Sequence, residues 1–186
     1  MFGTDGWSTD SILSWNVYLD DSLYTYDYTF TVPSKSPSHA IIEVSGNFST
    51  DNIYEGTTAT PDLDTYGPSN PSNPGIPGSL YGIKWNDIEN DLTFDWQIVT
   101  DRSPMWGDFY AKDGYAKDGK DGGVWVIAYN KEFGKDTLAA IGNGNAGGWI
   151  LVPDTNGTPI PEPATMFLLG SGLIGLAGIG RKKFIK

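Results

Sequence analysis

Between residues 24 and 32 the chain reads Tyr24, Tyr26, Tyr28, Phe30 and Val32, interleaved with Thr25, Asp27, Thr29 and Thr31. Period two is the repeat of an extended strand, whose successive side chains point to opposite faces. A helix would scatter the same rings around its circumference. Two further runs carry this pattern. Leu13, Trp15, Val17 and Leu19 alternate with Ser14, Asn16 and Tyr18, and Leu92, Phe94, Trp96 and Ile98 alternate with Thr93, Asp95 and Gln97. Shorter candidates lie at 39–45, 80–85, 105–111, 124–130, 137–141 and 148–152. No helical stripe competes with them in the body. Eight or nine short strands parted by Gly, Asn, Asp and Pro predict an all-β fold, an antiparallel β-sandwich or jelly-roll-like domain over residues 1–152. The stretch 49–79 reads as a long loop, crowded with Pro, Gly, Ser and Asn from 67 to 78.

The 186 residues contain no cysteine, which excludes disulfide staples and thiol nucleophiles. Net charge is −11. The C-terminal end conceals the acidity of the body, since residues 1–160 hold 8 basic and 22 acidic side chains. Such a surface repels nucleic acid and anionic headgroups and suits cations or neutral sugars. Acidity of this kind also simply keeps a secreted protein soluble.

Few residues form a chemical constellation. In the loop that starts at Asp113, the carboxylates of Asp113, Asp118 and Asp121 could offer oxygens to Ca²⁺, with glycines letting the backbone fold around the ion. The spacing of an EF-hand loop is absent, and Asp-Gly steps equally serve a tight hairpin turn. His39 is the sole histidine, so a multi-histidine metal centre is excluded. It is either a lone base beside Ser38 or Ser45 or a structural imidazole bonded to backbone. Asp87, Glu89, Asp91 and Asp95, and the adjacent Asp20 and Asp21, are acids with no stated reason to face one another across a cleft. The 7 Trp and 10 Tyr could stack on sugars or fill the core. Alternation turns Trp15 and Trp96 inward and leaves Trp7, Trp85, Trp106, Trp125 and Trp149 unsorted.

Beyond a spacer at 153–160 the chain changes character. Residues 164–180 carry no charge and only Thr165 and Ser171 as polar side chains. As a helix at about 1.5 Å per residue the segment nearly spans a hydrocarbon core of about 30 Å. Arg181, Lys182 and Lys183 then act as a membrane stop that keeps the C-terminus cytoplasmic and the body outside.

The order Pro161-Glu162-Pro163, the run Gly170-Ser171-Gly172-Leu173-Ile174-Gly175-Leu176-Ala177-Gly178 and the closing basic cluster resemble the PEP-CTERM sorting signal of exported Gram-negative proteins. The resemblance implies exosortase as a partner, with processing at or near Pro161, Glu162 and Pro163. Segments 38–45, 77–84, 106–114 and 152–155 are similar to domains that often precede this signal. That similarity suggests one family-wide domain across residues 1 to about 155. Family members enter the secretory route through an N-terminal leader, whereas Met1 to Trp7 has no basic or apolar leader character. A leader upstream of Met1 is the expectation.

These readings predict a protein in transit through the inner membrane and then at the cell surface or in the extracellular matrix. Its expected role is structural and associated with extracellular polysaccharide. It is expected to be no enzyme, to need no cofactor (Ca²⁺ aside) and to bind no nucleic acid. A carbohydrate-binding module using exposed aromatics is the alternative, and a glycan hydrolase stands behind both.

Overall fold

The computed structural model describes residues 1–58, 62–86, 91–113, 125–135 and 147–153. Their strands, in chain order, are β1 (Phe2–Gly3), β2 (Ile12–Asp20), β3 (Leu23–Thr31), β4 (Pro37–Glu43), β5 (Asp62–Tyr66), β6 (Leu80–Asn86), β7 (Thr93–Thr100), β8 (Pro104–Gly107), β9 (Phe109–Asp113), β10 (Ile127–Tyr129) and β11 (Ile150–Pro153). All ladders are antiparallel. They form a six-stranded sheet β1-β10-β9-β4-β6-β5, a three-stranded sheet β2-β3-β7 and the pair β11-β8. The described residues are mostly β with antiparallel sheets, consistent with the all-β fold that alternation predicts. Among the described residues no helix is long and apolar enough to cross a membrane. The expected span at 164–180, the spacer after Pro153 and the strand at 137–141 lie outside the described residues.

The alternating runs do what their period requires. Tyr26, Tyr28 and Phe30 on β3 and Trp96 and Ile98 on β7 turn one face of the three-stranded sheet inward. The six-stranded sheet meets them with Ile42, Ile83, Trp85 and Phe109. Phe109 packs edge-on against Phe30 at 5.1 Å and stacks with Trp96 at 6.3 Å, so rings from both sheets interlock. Across the six-stranded sheet, Gly3, Ala128, Ala111 and Ala40 stand in one row, ending at Trp85. Small residues there leave room for large rings opposite. Each buried Leu, Phe or Ile contributes roughly 1.5–3 kcal/mol. The buried phenols keep partners: Tyr26 donates to the Arg102 carbonyl and Tyr28 to the Leu151 carbonyl, each at 2.8 Å.

Two expectations need correction. Residues 49–79 are no uninterrupted loop: Asp62–Tyr66 is a strand on the edge of the large sheet, paired to β6 from Asp62↔Lys84 to Tyr66↔Leu80. Its Asp62 and Asp64 share a face, and such charged residues are what an unpaired edge carries to discourage further pairing. They hide the strand from a hydrophobic-pattern reading. The run 105–111 is two strands, β8 and β9, because Asp108 breaks the ladder. Its amide donates to Glu43 Oε2 at 2.8 Å, and its carboxylate accepts from Asn130 Nδ2 and the Gly134 amide, both at 2.7 Å.

The remainder of the 49–79 region covers two exposed places. Residues 54–58 lie along the outer edge of β7, where the amides of Tyr54 and Thr58 donate to the carbonyls of Val99 and Gln97. The hydroxyls of Thr57 and Thr58 accept from the amides of Val99 and Gln97 at 2.9 Å. Residues 67–79 fold back over the outer face of the six-stranded sheet. Successive turns, Asn70 N to Gly67 O and Asn73 N to Asn70 O at 3.0 Å, seat Ile76 against Ile41, Tyr110 and Ile127. Tyr110 fastens this cover by donating to the Pro74 carbonyl at 2.7 Å. The large sheet is thus buried on both faces.

Candidate functional site

His39 lies on the covered outer face and is only 5% exposed. β4 places it opposite Lys112 on β9 and Asn86 on β6. Lys84 stands one step along the same face, opposite Ile41 and Asp62. The 67–79 loop lowers Asn73, wholly buried, onto this group. Tyr110 completes the cluster with its ring centroid 6.0 Å from that of His39.

Burial drives the His39 pKa down to about 3, the charges of Lys84 and Lys112 add to the fall, and the Asn73 side chain opposes it. The ring is therefore neutral at ordinary pH and a weak base. Ser38, expected as a possible partner, sits at a β-bulge between Pro37 and His39. Its hydroxyl turns to the carbonyls of Lys112 and Asp113 at 3.1 and 3.0 Å, and its contact with His39 Nδ1 is a long 3.5 Å. Nor is the imidazole tied to backbone through its other nitrogen, since Nε2 has no hydrogen-bond partner. Both lysines have lowered pKa values, chiefly from burial, with Asp62 and Asp113 respectively pulling the other way. Their ammonium groups rest over rings: Lys84 lies 5.5 Å from the Tyr66 centroid and Lys112 lies 4.4 Å from that of Trp125.

Sequence reading passed over this cluster because its members come from four separated segments. One trace was available: Lys84 interrupts an otherwise apolar strand, a position where lysine is rarely buried without a reason.

The other candidates fare differently. Asp113 is a buried residue closing β9, its amide bonded to the Val126 carbonyl at 2.9 Å. Asp118 and Asp121 lie outside the described residues. Among the described residues no three His, Cys, Asp or Glu side chains gather as metal ligands do. Asp87 and Glu89 are also outside them. Asp95 instead lines a shallow cleft with Asp27, a pair 68 positions apart in the chain. Each carboxylate there already accepts a bond, Asp27 from Gln97 at 2.6 Å and Asp95 from Thr29 at 2.5 Å.

All seven tryptophans are described and none is fully exposed. Trp7, Trp85 and Trp96 are buried, while Trp15 packs against the core as alternation predicts. Trp15 and Trp149 meet in a groove of about 290 Å³, shared with Ser11, Leu13, Asn130 and Lys131. Trp149 is held by its indole N–H, which donates to the Lys135 carbonyl at 2.9 Å.

Pro161, Glu162, Pro163, Arg181, Lys182 and Lys183 lie outside the described residues. For them the comparison with known families is decisive: residues 159–182 match the family described as the PEP-CTERM protein-sorting motif. No curated protein and no solved structure matches the chain. The match covers the proline-glutamate-proline step, the apolar run and the first basic residues together. The chain therefore carries the PEP-CTERM sorting motif, the mark of an exported protein that exosortase processes.

Proposed function

We propose that this protein is a β-sandwich component of the extracellular polysaccharide matrix, delivered by exosortase. The sorting motif carries the reading. Residues 164–180 enter the inner membrane as a helix, Arg181 to Lys183 hold its cytoplasmic end, and cleavage near Pro161, Glu162 and Pro163 releases the body outward. In this reading the body, residues 1–152, needs neither catalysis nor cofactor. Its acidic surface and inward-turned rings suit a durable, soluble building element, with 153–160 as the spacer that brings the cleavage point to the enzyme.

Mass spectrometry of the mature C-terminus tests this. Cells with exosortase should yield a chain ending near Pro163, and cells lacking it should keep the intact tail. Replacement of Pro161, Glu162 and Pro163 by alanine should reproduce the uncut form. An intact C-terminus in all three, on protein free in the cytosol, overturns the reading.

The Trp15 and Trp149 groove favours a second reading, a carbohydrate-binding module. Aromatic faces beside Asn130 and Lys131 provide a stacking surface with polar groups at its rim. Loss of glycan retention in Trp149→Ala, with folding intact, would select it over a purely structural role.

A further inference from the structure

We propose that His39, Asn73, Lys84 and Lys112 form a binding site for one small oxyanion, a carboxylate or sulfate group, beneath the 67–79 loop. This inference is independent of the export reading.

Three polar atoms at one place have no partner within hydrogen-bond distance, His39 Nε2 and both ends of the Asn73 side-chain amide, although the amide lies near enough to the imidazole to favour its protonated form. Both side chains are more than nine-tenths buried, at 5% and 0% exposure. Leaving such a group unsatisfied is costly, so native structures rarely do so without an occupant. A water molecule would satisfy the imidazole and the amide. It would not answer the charges. Lys84 and Lys112 share this face, the charge of Lys112 adding to the cost of burying Lys84, and neither forms an ion pair among the described residues. Asp62 stands opposite Lys84 and Asp113 follows Lys112, and each carboxylate offsets part of its neighbour's charge.

The chemistry of the four side chains is that of an anion cradle. Two ammonium groups supply charge, Asn73 supplies an N–H₂ donor, and neutral His39 can place its one proton on Nε2. Lys112 and Trp125 are the half-buried members of this group. The oxyanion can be free in solution or belong to a sugar acid of the matrix, and only the second source depends on the proposed function.

His39, as the only histidine, reports the site without ambiguity. The full chain in non-ionic detergent, its imidazole followed by proton–carbon NMR at constant ionic strength, is titrated with sulfate, glucuronate and glucose. The expected result is a saturable shift with at least one of the two anions and none with glucose. Sulfate alone identifies a free oxyanion as the ligand. Glucuronate alone, or both, extends the site to sugar acids. Lys84→Gln and Lys112→Gln should each weaken binding by about tenfold or more. No saturable shift with either anion in the wild-type chain overturns the proposal, and so does an equal response to glucose or an unchanged affinity in folded lysine variants.

Discussion

The two faces of the six-stranded sheet are buried by different means. The inner face meets a second sheet through interlocked rings, and most of its polar tips reach carbonyls: Trp7 to Ser34, Trp85 to Thr58, Tyr26 to Arg102 and Tyr28 to Leu151. The indole of Trp96 is the exception there. The outer face meets a turn-rich loop, and there charge and polar atoms without a close partner stand beside a smaller apolar cluster of Ile41, Ile76, Tyr110 and Ile127. Apolar rings with satisfied polar tips specify the first face. The second depends on a few directional contacts, which leaves it open to modulation by solution conditions.

The contrast can be broken by substitution. Phe109→Ala on the inner face removes a ring shared by both sheets and should destabilise by about 3–5 kcal/mol, read by denaturant unfolding. A loss below 1 kcal/mol would mean that the sheets do not depend on their shared rings.

The next effect belongs to the outer face and to acid. His39 has a folded pKa of about 3 against 6.5 unfolded. Between those values the unfolded chain takes up a proton that the folded chain refuses. Stability is therefore full above pH 6.5 and declines as pH falls towards 3, by up to about 1.4 kcal/mol per pH unit. Unfolding free energies of His39→Gln should fall less steeply across that window, and parallel curves would place the imidazole in water.

Smaller changes probe the cover itself. Gly75 has φ of +69°, and a Cβ there would stand 2.7 Å from Ile127 Cδ1. Gly75→Ala should cost about 1–2 kcal/mol, through backbone strain and contact together. Tyr110→Phe deletes the bond to Pro74 and should cost about 1 kcal/mol. Amide exchange should then accelerate at 67–79 while β3 and β7 keep their protection. Acceleration spread evenly through both sheets would show that the two faces unfold as one.

Much of this was readable in the chain, and the limits are instructive. The period-two runs of β2, β3 and β7 betray themselves because one face is apolar and the other wet. β5 escaped because Asp62 and Asp64 occupy a solvent-side edge, where pattern carries no hydrophobic contrast. β4, expected at 39–45, also lacks that contrast, since Ala40 and Ile42 are buried in the inner layer and Ile41 in the outer, and its short apolar run marks it instead. Trp15 and Trp96 could be oriented by alternation. Trp7 could not, because it lies in a short 3-10 turn between β1 and β2, outside any alternating run. The sorting motif is legible for a different reason: its meaning lies in local order of residue types, with no folding needed to interpret it. The cluster around His39 is its opposite, assembled only when 39, 73, 84 and 112 meet.

One detail of the three-stranded sheet bears on life outside the cell. Sheets left open at their margins tend to recruit neighbours into endless ribbons. Here residues 54–58 seal the β7 margin with main-chain and threonine bonds. Growth of a ribbon through that border is blocked, so crowded copies can sit side by side without fusing into fibres along it.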